Sequence, residues 1–423
     1  MIDSHSKVIY RDCYRPKMRS LWWLFFVAIA SGHQSGSKLE TLYEWKYIDY
    51  TWQTSAHRQE AITSGNYNYT KCNMIDVDRW KDGRVFVTVI RDEGVPASLN
   101  TVSGSSGEGG PLLRPYPNWE MADYKNCDSL INVYRVAIDR CDRMWVLDTG
   151  KIGEKQSCPP KLLAFNLRTD QLIEKIPIPM DVAENSKTKK SLLVTPVVDT
   201  YGQSCSRTYV YMADVEGYGL LVYSSVEKRV WRLESPFFEP NPKYTNFTIA
   251  GESFNLEDGI LGMALSPSYS KGNRILYFKP LASLDIDGVR VKAIQKQYKQ
   301  IKYYTRRNVL PSQGTAFAFA EMGTLFFGLS SETAIGCWNS FNPLFTRNIE
   351  ILEKDPERLQ FASGVKVIPR RITGWEEELW VATNRLQKIF AGTQDFSQVN
   401  FRVMRGIVNN MIAGTKCRRQ KRI

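Results

Sequence analysis

Short apolar segments separated by polar turns run along most of the chain, and they set the first expectation about its fold. Each segment is rich in β-branched or aromatic residues and is bounded by Gly, Pro, Asn or Asp, which is the pattern of a β-strand. Apolar residues at helical spacing are scarce. The sequence therefore predicts an all-β protein of many short strands, such as a sandwich, a barrel or a propeller.

A degenerate repeat distinguishes between these architectures. Its clearest copy covers residues 136–150, where an apolar strand leads through a polar turn into a second strand that carries an aromatic residue. A third strand follows at Leu162–Leu167. Five further copies are recognisable by the aromatic anchor of their second strand. The six anchors are Phe86, Trp145, Tyr211, Tyr277, Phe326 and Trp380, which lie 59, 66, 66, 49 and 54 residues apart.

Six repeats of this length fill the chain after its N-terminal segment and favour a β-propeller. A four-stranded blade takes about 40–50 residues, and its sheet buries both faces only when it packs between two neighbours around an axis. We predict a single domain, a six-bladed β-propeller over residues 35–415, in preference to an array of β-sandwiches.

Two stretches depart from the pattern. Residues 103–110, rich in Gly and Ser, predict a flexible loop, and residues 293–307 predict a solvated excursion between strands.

The N-terminal 34 residues have the layout of a secretory signal peptide. Arg15, Lys17 and Arg19 precede the apolar run at 21–30, and small residues follow it. A membrane anchor is the alternative, but the run is shorter than the roughly 20 apolar residues of a spanning helix. We predict a secreted protein that does not span a membrane, with residues 1–34 as an extension and signal peptide, and with Met18 as an alternative start.

The cysteines and sequons fit an exported chain. Cys13 lies ahead of the apolar run, and none of the other seven cysteines forms a C-x-x-C pair, so zinc-ribbon and thioredoxin-like sites are not expected. Scattered cysteines in a secreted protein indicate disulfides, and an odd number leaves one thiol over. Asn68 and Asn246 begin N-x-T sequons and are predicted glycosylation sites.

Charge and histidine content exclude several functions. The net charge is +12, and part of it lies in a basic C-terminal tail at 416–423. In an exported protein this charge does not predict nucleic-acid binding. The chain has three histidines, His5, His33 and His57, of which only His57 follows the signal segment. Zinc proteases and copper oxidases need several histidine ligands, and Ser-His-Asp hydrolases need a histidine positioned by an acid. We predict no metal, no cofactor and no assigned catalytic residue.

Three carboxylates in one repeat are the remaining candidate for a cation site. Asp139, Asp142 and Asp148 lie close together in the sequence, and Ca²⁺ prefers carboxylate and carbonyl oxygens. Aspartates at turns, however, more often bond to the neighbouring backbone. We therefore favour a structural role for these three residues.

Several longer motifs resemble the insect yellow and major royal jelly protein family. Val95–Leu99 and Leu112–Trp119 are similar to its first-blade signature, and Cys141–Asp148 is similar to its C-D/G-R-L-W-V-L-D motif. The resemblance extends from about residue 40 to residue 417 and implies a six-bladed propeller, in agreement with the repeat count. Further matching segments are Ile249–Phe254, Asp258–Ser266, Leu325–Leu329, Gly336–Asn339 and Val399–Arg402.

The resemblance also implies how the cysteines pair. Two pairs correspond to cysteines that are shared widely in the family, and the royal-jelly branch adds a third. The implied pairs are Cys141–Cys205, Cys337–Cys417 and Cys127–Cys158, which leaves Cys72 as the odd thiol.

Functions differ within this family, and a fold alone does not determine one. Yellow-type members are linked to cuticle pigmentation, and some convert dopachrome. Royal-jelly members are nutritive, and salivary relatives bind biogenic amines in the channel through a Thr, an Asn and a Phe. Alignment places Ser363, Asn384 and Leu386 at those positions. Leu386 offers no aromatic face to an ammonium group, which argues against an amine here.

These observations lead to three hypotheses. The first is a secreted propeller that holds a small aromatic or apolar ligand in its axial channel, in cuticle pigmentation or melanin-related biology. The ligand would be an aromatic amine, a catechol derivative or a sterol. The second is a metal-free dopachrome-converting isomerase, in which a channel carboxylate or tyrosine must act as acid or base. The third is a nutritive, storage or structural secreted protein.

Overall fold

The strands of the protein are short and numerous. The computed structural model describes residues 37–268, 274–369 and 376–419, and within them 28 β-strands form. The predicted signal peptide and the last four residues of the basic tail lie outside the described residues. The strands are β1 (Glu40–Trp45), β2 (Asn73–Arg79), β3 (Val85–Ile90), β4 (Leu99–Gly107), β5 (Gly110–Pro115), β6 (Val133–Ile138), β7 (Arg143–Asp148), β8 (Lys151–Ile152), β9 (Lys155–Gln156), β10 (Lys161–Asn166), β11 (Gln171–Pro177), β12 (Leu193–Tyr201), β13 (Arg207–Asp214), β14 (Gly219–Ser224), β15 (Arg229–Glu234), β16 (Asn246–Ile249), β17 (Glu252–Asn255), β18 (Ile260–Leu265), β19 (Ile275–Pro280), β20 (Ile286–Arg290), β21 (Tyr303–Arg306), β22 (Gly314–Phe319), β23 (Thr324–Leu329), β24 (Ala334–Asn339), β25 (Glu350–Lys354), β26 (Phe361–Ile368), β27 (Glu378–Asn384) and β28 (Phe401–Ile407).

Six antiparallel four-stranded sheets form the blades. Blade 1 is β2–β3–β4–β5, blade 2 is β6–β7–β10–β11, blade 3 is β12–β13–β14–β15, blade 4 is β18–β19–β20–β21 and blade 5 is β22–β23–β24–β25. Blade 6 has the order β26–β27–β28–β1, so the N-terminal strand completes the last sheet. The pairs β8–β9 and β16–β17 are separate hairpins. Within the described residues, four short α-helices lie between strands, α1 (Ser55–Thr63), α2 (Met180–Ala183), α3 (Val291–Gln295) and α4 (Leu386–Ala391), and a fifth, α5 (Val408–Met411), follows β28.

The inner strands form a closed ring around the axis. Strands β2, β6, β12, β18, β22 and β26 each contact the next, and β26 contacts β2 again. Because residues alternate between the two faces of a strand, each blade presents apolar side chains to both neighbours. Among the described residues, six apolar clusters fill the spaces between adjacent blades. Trp145 of blade 2 and Tyr223 of blade 3, for example, share one of them.

The ring is closed by pairing of the N-terminal strand with the C-terminal one. Strand β1 is antiparallel to β28, with Glu40 opposite Arg405 and Trp45 opposite Phe401. The Trp45 side chain is fully buried, and its indole N–H donates to the Pro111 carbonyl of blade 1 at 2.6 Å. One residue thus joins the completed last blade to the first.

The aromatic anchors occupy the positions that the repeat predicts. All six lie on the second strand of a blade, namely β3, β7, β13, β19, β23 and β27. Five of them are buried, and Tyr277 is half-buried. The predicted all-β, six-bladed, single-domain propeller is therefore confirmed.

Two smaller expectations are wrong. Residues 103–107 are the end of β4 and pair with the start of β5, so the Gly/Ser-rich stretch is a hairpin and not a free loop. Residues 303–306 form β21, the outermost strand of blade 4. Residues 104–107 are exposed, and exposed and half-buried residues alternate along β21, so neither segment has a strong apolar pattern.

Three disulfides tie local parts of the ring together, in the pairs that the resemblance implies. Cys127–Cys158 lies within blade 2. Cys141–Cys205 links the first turn of blade 2 to that of blade 3, and Cys337–Cys417 fastens the C-terminal segment to β24 of blade 5. Cys72 is unpaired and buried.

Candidate functional site

The axial channel is lined by the six inner strands and contains a cavity of about 270 Å³. The lining residues come from β2, β6, β12, β18, β22 and β26, mostly from the halves of these strands that end at the first turn of each blade. No histidine is among them. The two sides of the cavity differ in chemistry: one is charged and the other is apolar.

One wall is charged. The Lys366 ammonium of blade 6 lies 3.0 Å from Asp76 Oδ2 of blade 1, and the Val136 amide of blade 2 donates to the same oxygen at 3.2 Å. Asp78 accepts from the Ile138 amide at 3.3 Å. Burial raises the pKa of Asp78 to about 6, Lys366 opposes this, and the negative charge of Asp76 adds to it. A proton-accepting group is thus held inside the channel near neutral pH.

Arg135 extends from blade 2 across the channel. Its Nη2 donates to the Ser363 carbonyl of blade 6 at 2.8 Å, and its Nη1 donates to the Thr195 hydroxyl of blade 3 at 3.4 Å. The residue is 2% exposed. Burial lowers the pKa of Arg135, while Asp76 and Asp258 raise it. The guanidinium therefore joins three inner strands at the level of the channel.

Three lining residues carry buried polar atoms without a hydrogen-bond partner in the described part of the chain. They are Asp76 Oδ1, Arg79 Nη1 and Arg135 Nε. Each unsatisfied buried polar group costs about 1–3 kcal/mol, so such groups in native proteins usually bind water or a ligand. Their concentration at one cavity marks it as a polar binding site.

The opposite wall is apolar. Blade 4 contributes Met263 and Leu265, and blade 5 contributes Phe317 and Phe319. The cavity therefore offers charged and hydrogen-bonding groups on one side and aromatic and aliphatic surface on the other. This combination is typical of pockets for small molecules that have a ring and a few polar substituents.

Two of the three residues that the resemblance indicated lie together. Asn384, at the end of β27, is 2% exposed, and its Nδ2 donates to the Met74 carbonyl at 3.0 Å and reaches the Ser363 hydroxyl at 3.5 Å. Its Oδ1 has no partner among the described residues. Leu386, the first residue of α4, packs instead against the apolar cluster between blades 3 and 4.

The other end of the channel has an acidic mouth. A cavity of about 420 Å³ there is lined by carboxylates that include Glu216 and Asp258, together with lysines. Lys151 pairs with Glu216 at 2.9 Å. Burial raises the pKa of Asp258 to about 7, Glu216 adds to this, and Arg135 opposes it. Asp258 lies two residues before the start of inner strand β18, so the mouth lies at the end of the channel where the inner strands begin.

The three clustered aspartates are committed to the fold. Asp139 pairs with Arg143 at 2.7 Å, and Asp148 accepts from the Ile131 and Asn132 amides at 2.8 and 2.9 Å. Asp142 pairs with Lys81 and Arg168. Within residues 37–268, 274–369 and 376–419, no group of three or more His, Cys, Asp or Glu is placed to hold a metal ion.

His57 lies away from the channel. It is on α1, and its ring packs against Trp52 and Trp119 with centroid distances of 5.1 and 5.0 Å. The asparagines of the two predicted glycosylation sequons are exposed. Asn68 caps a short 3₁₀ turn, and Asn246 is the first residue of β16. In the part of the chain that the structure describes, no helix is long and apolar enough to cross a membrane.

The charged residues of the channel were not predicted from the sequence. Asp76 and Asp78 occupy alternate positions of a strand, and Lys366 and Arg135 interrupt apolar strands. Paired charges at alternate positions of a predicted inner strand are the signal that could have revealed them, because the inner strand of a blade has no solvent-exposed face.

Comparison with known proteins agrees with this architecture. The family model described as "Major royal jelly protein" matches residues 131–417. The chain is 42% identical to Major royal jelly protein 9 of Apis mellifera over 419 residues, which cover 95% of this chain and 97% of that protein. It is 42% identical to Major royal jelly protein 8 of the same species over 396 residues, 90% of this chain and 93% of that protein.

Solved structures of other propeller-like chains are much more distant. Virginiamycin B lyase from Staphylococcus aureus is 10% identical with a TM-score of 0.42, over 81% of this chain and 97% of that chain. Luciferin-regenerating enzyme is 12% identical with a TM-score of 0.42, over 86% of this chain and 95% of that chain. Neither likeness bears on function. Because the family model matches most of the chain and the alignments with the Apis mellifera proteins cover nearly all of it, the chain belongs to the major royal jelly protein family.

Proposed function

We propose that this chain is a secreted propeller that binds a small aromatic molecule in its axial channel and does not turn it over. The observation that carries the proposal is the two-sided cavity, in which Asp76, Arg135 and Lys366 face an apolar wall that includes Phe317. A ring packs on that wall while its polar substituents reach the charged groups. A catechol or indole derivative fits both walls, whereas a sterol leaves the charges without partners.

Export and pigment biology belong to the same proposal. Three disulfides support an oxidising compartment, and the exposed Asn68 and Asn246 are accessible for glycosylation. The predicted signal peptide at 1–34 would direct export. A role in cuticle pigmentation or melanin-related biology rests on the resemblance to the yellow branch.

Calorimetric titration tests ligand binding. Purified protein is titrated with dopamine, serotonin, dopachrome and cholesterol, and we expect saturable binding of at least one aromatic compound and none of cholesterol. Lys366→Met should weaken that binding roughly tenfold, because it removes a charged hydrogen-bond donor. Lys354→Met is the matched control, since Lys354 lies on the outer strand of blade 5 and pairs with Glu332.

If none of the aromatic compounds gives a heat of binding, the proposal is contradicted. Equal affinity in the wild type and Lys366→Met would place the ligand elsewhere. Phe319→Leu, which keeps the charges and removes a ring from the apolar wall, gives a second measurement if Lys366→Met is unstable.

An isomerase is the second candidate, and Asp78 favours it. Dopachrome conversion moves a proton, and a carboxyl with a pKa of about 6 inside the channel is suited to that step. The test is dopachrome decolourisation with boiled protein as control. Loss of turnover in Asp78→Asn, with binding retained, would establish the enzyme; equal rates with native and boiled protein would exclude it.

A nutritive role is the third candidate. It is favoured by the names of the relatives, which identify them as proteins of royal jelly. Gel filtration that shows large assemblies, together with no ligand in the titrations above, would support this role over binding.

A further inference from the structure

A second cavity, of about 470 Å³, lies between blades 4 and 5 away from the axis. Its walls come from β19, β20 and β21 of blade 4 and from the end of β24 and the turn that follows it in blade 5. It shares no lining residue with the axial cavity. Its volume is within the range of pockets that hold small molecules.

Aromatic side chains form much of its wall. The Tyr277 and Trp338 rings meet edge to face with a centroid distance of 5.5 Å, and Tyr304 lines the cavity beside them, whereas the ring of Tyr303 packs on the opposite face of the sheet against Phe238. Tyr304 is 38% exposed at the rim. Such rings provide flat apolar surface against which the C–H face of a ligand ring can pack.

Three lining residues carry buried polar atoms without a hydrogen-bond partner among the described residues, namely Asp287 Oδ1, Trp338 Nε1 and Ser340 Oγ. Thr305 lies directly opposite Asp287 on the paired strands β20 and β21 and adds a hydroxyl beside this carboxyl. Asp287 is 3% exposed and Trp338 is 2% exposed. Acceptor and donor groups therefore occur side by side at one cavity, where each unsatisfied atom weakens the fold unless something binds to it.

The Asp287 carboxyl is held in an unfavourable setting. Burial raises the pKa of Asp287 to about 7, while the Thr305 hydroxyl lowers it, Asp285 raises it, and Arg307 and Lys279 lower it. The burial effect prevails. A ligand that donates a hydrogen bond to this carboxyl would replace part of the hydration that it has lost.

The buried polar groups without partners include both hydrogen-bond donors and acceptors, and this restricts the class of ligand. An organic cation would pair with Asp287 but would leave the Trp338 N–H without an acceptor, and Arg306 at the cavity would repel it. Sugar hydroxyls both donate and accept, and the C–H faces of a sugar ring suit the tyrosine and tryptophan rings. We propose that the cavity between blades 4 and 5 is a carbohydrate-binding site for a pyranose unit.

Saturation-transfer NMR with a panel of glucose, galactose, mannose, fucose and N-acetylglucosamine at millimolar concentrations tests the proposal. We expect saturable transfer to at least one pyranose. Asp287→Asn keeps the size of the side chain and removes the charge, and Trp338→Phe removes the indole N–H together with part of the ring. Each should weaken binding roughly tenfold.

Trp231→Phe is the matched control. The Trp231 indole N–H already donates to the Ile294 carbonyl at 3.3 Å, and the residue does not line the cavity. Both variants shorten a buried ring and should lose some stability, but only Trp338→Phe should weaken sugar binding. Thermal unfolding of each variant separates the two effects.

Two results would overturn the proposal. The first is no transfer to any sugar of the panel, or transfer of equal strength in the wild type, Asp287→Asn and Trp338→Phe. The second is competition by choline, a hydroxylated cation without a sugar ring, that displaces the bound pyranose or binds where no pyranose does.

Discussion

Single residues in the two cavities and at the channel mouth carry charges in unfavourable surroundings. Asp78, Asp258 and Asp287 all have pKa values raised mainly by burial, to about 6, 7 and 7. A raised carboxyl pKa means that the ionised form destabilises the fold. Functional sites commonly retain buried carboxyl groups of this kind, because these groups take part in binding or proton transfer.

Asp258→Asn should make stability less dependent on pH. The folded state holds a proton on Asp258 up to about pH 7, whereas the unfolded chain releases it near pH 3.8. Wild-type stability therefore falls as pH rises through that window, and the penalty is complete above it. We expect the variant to be more stable at pH 8, by on the order of 1–3 kcal/mol after allowance for solvent screening, and equal to the wild type below pH 4.

Chemical denaturation at several pH values measures this difference. Asp181→Asn, at an exposed acid on α2, is the control and should show no such trend. A variant that is equally destabilised at every pH would mean that the Asp258 carboxyl stabilises the mouth through contacts unrelated to its charge.

Cys72 should be inert in the folded protein. It is 2% exposed, and burial raises the pKa of its thiol to about 12, with the Tyr50 hydroxyl opposing and Asp49 adding to this. The thiolate is the reactive form, so iodoacetamide at pH 8 should not modify Cys72 until the protein is unfolded. Peptide mass spectrometry after labelling decides this, and prompt labelling of the native protein would show that the N-terminal region opens.

At the scale of elements, the disulfides should differ in what they contribute. Replacing both cysteines of Cys337–Cys417, which are 80 residues apart, should cost about 2–4 kcal/mol. Replacing Cys127–Cys158, 31 residues apart and within one blade, should cost roughly 1 kcal/mol less, because the shorter loop restricts the unfolded chain less. Urea unfolding midpoints give the order, and the reverse order would mean that native contacts of these segments dominate over loop entropy.

The elements that could be predicted are those whose pattern is local. The second strand of each blade is buried on both faces, so its aromatic anchor is visible in the sequence, as with Trp145 and Phe326. The outer strand β21 and the exposed end of β4 bury few residues, so their sequences do not show the apolar pattern of a strand. The disulfide pairs came from family resemblance and not from spacing.

At the scale of the whole molecule, the ring depends on its closure. Trp45→Ala should destabilise the protein by about 3–5 kcal/mol, because it removes a fully buried indole that packs between blades 6 and 1 and bonds to Pro111. Met322→Ala, at a half-exposed turn position, is the control and should change stability by less than about 0.5 kcal/mol. Thermal unfolding tests both, and a small effect of Trp45→Ala would mean that blade 6 holds without this closure.

The binding site could be predicted only in part, because it exists only once the ring has closed. Ser363 and Asn384, which the family resemblance implies as site residues, lie together, but neither lines the axial cavity. Asp76 and Lys366, by contrast, are nearly 300 residues apart and meet where inner strand β2 of blade 1 contacts inner strand β26 of blade 6. Nothing local in the sequence indicates that two interrupted strands will face each other, so the charged wall required the structure.

The central claim is that the axial channel is a binding site for a small aromatic molecule. Its most direct test is a crystal structure of the protein grown with the aromatic compound that binds tightest in the titrations. We predict electron density for the compound in the channel, with its ring against Phe317 and a polar substituent within hydrogen-bond distance of Lys366 or Asp76. Density for the compound only outside the channel, with the channel side chains unchanged, would contradict the account.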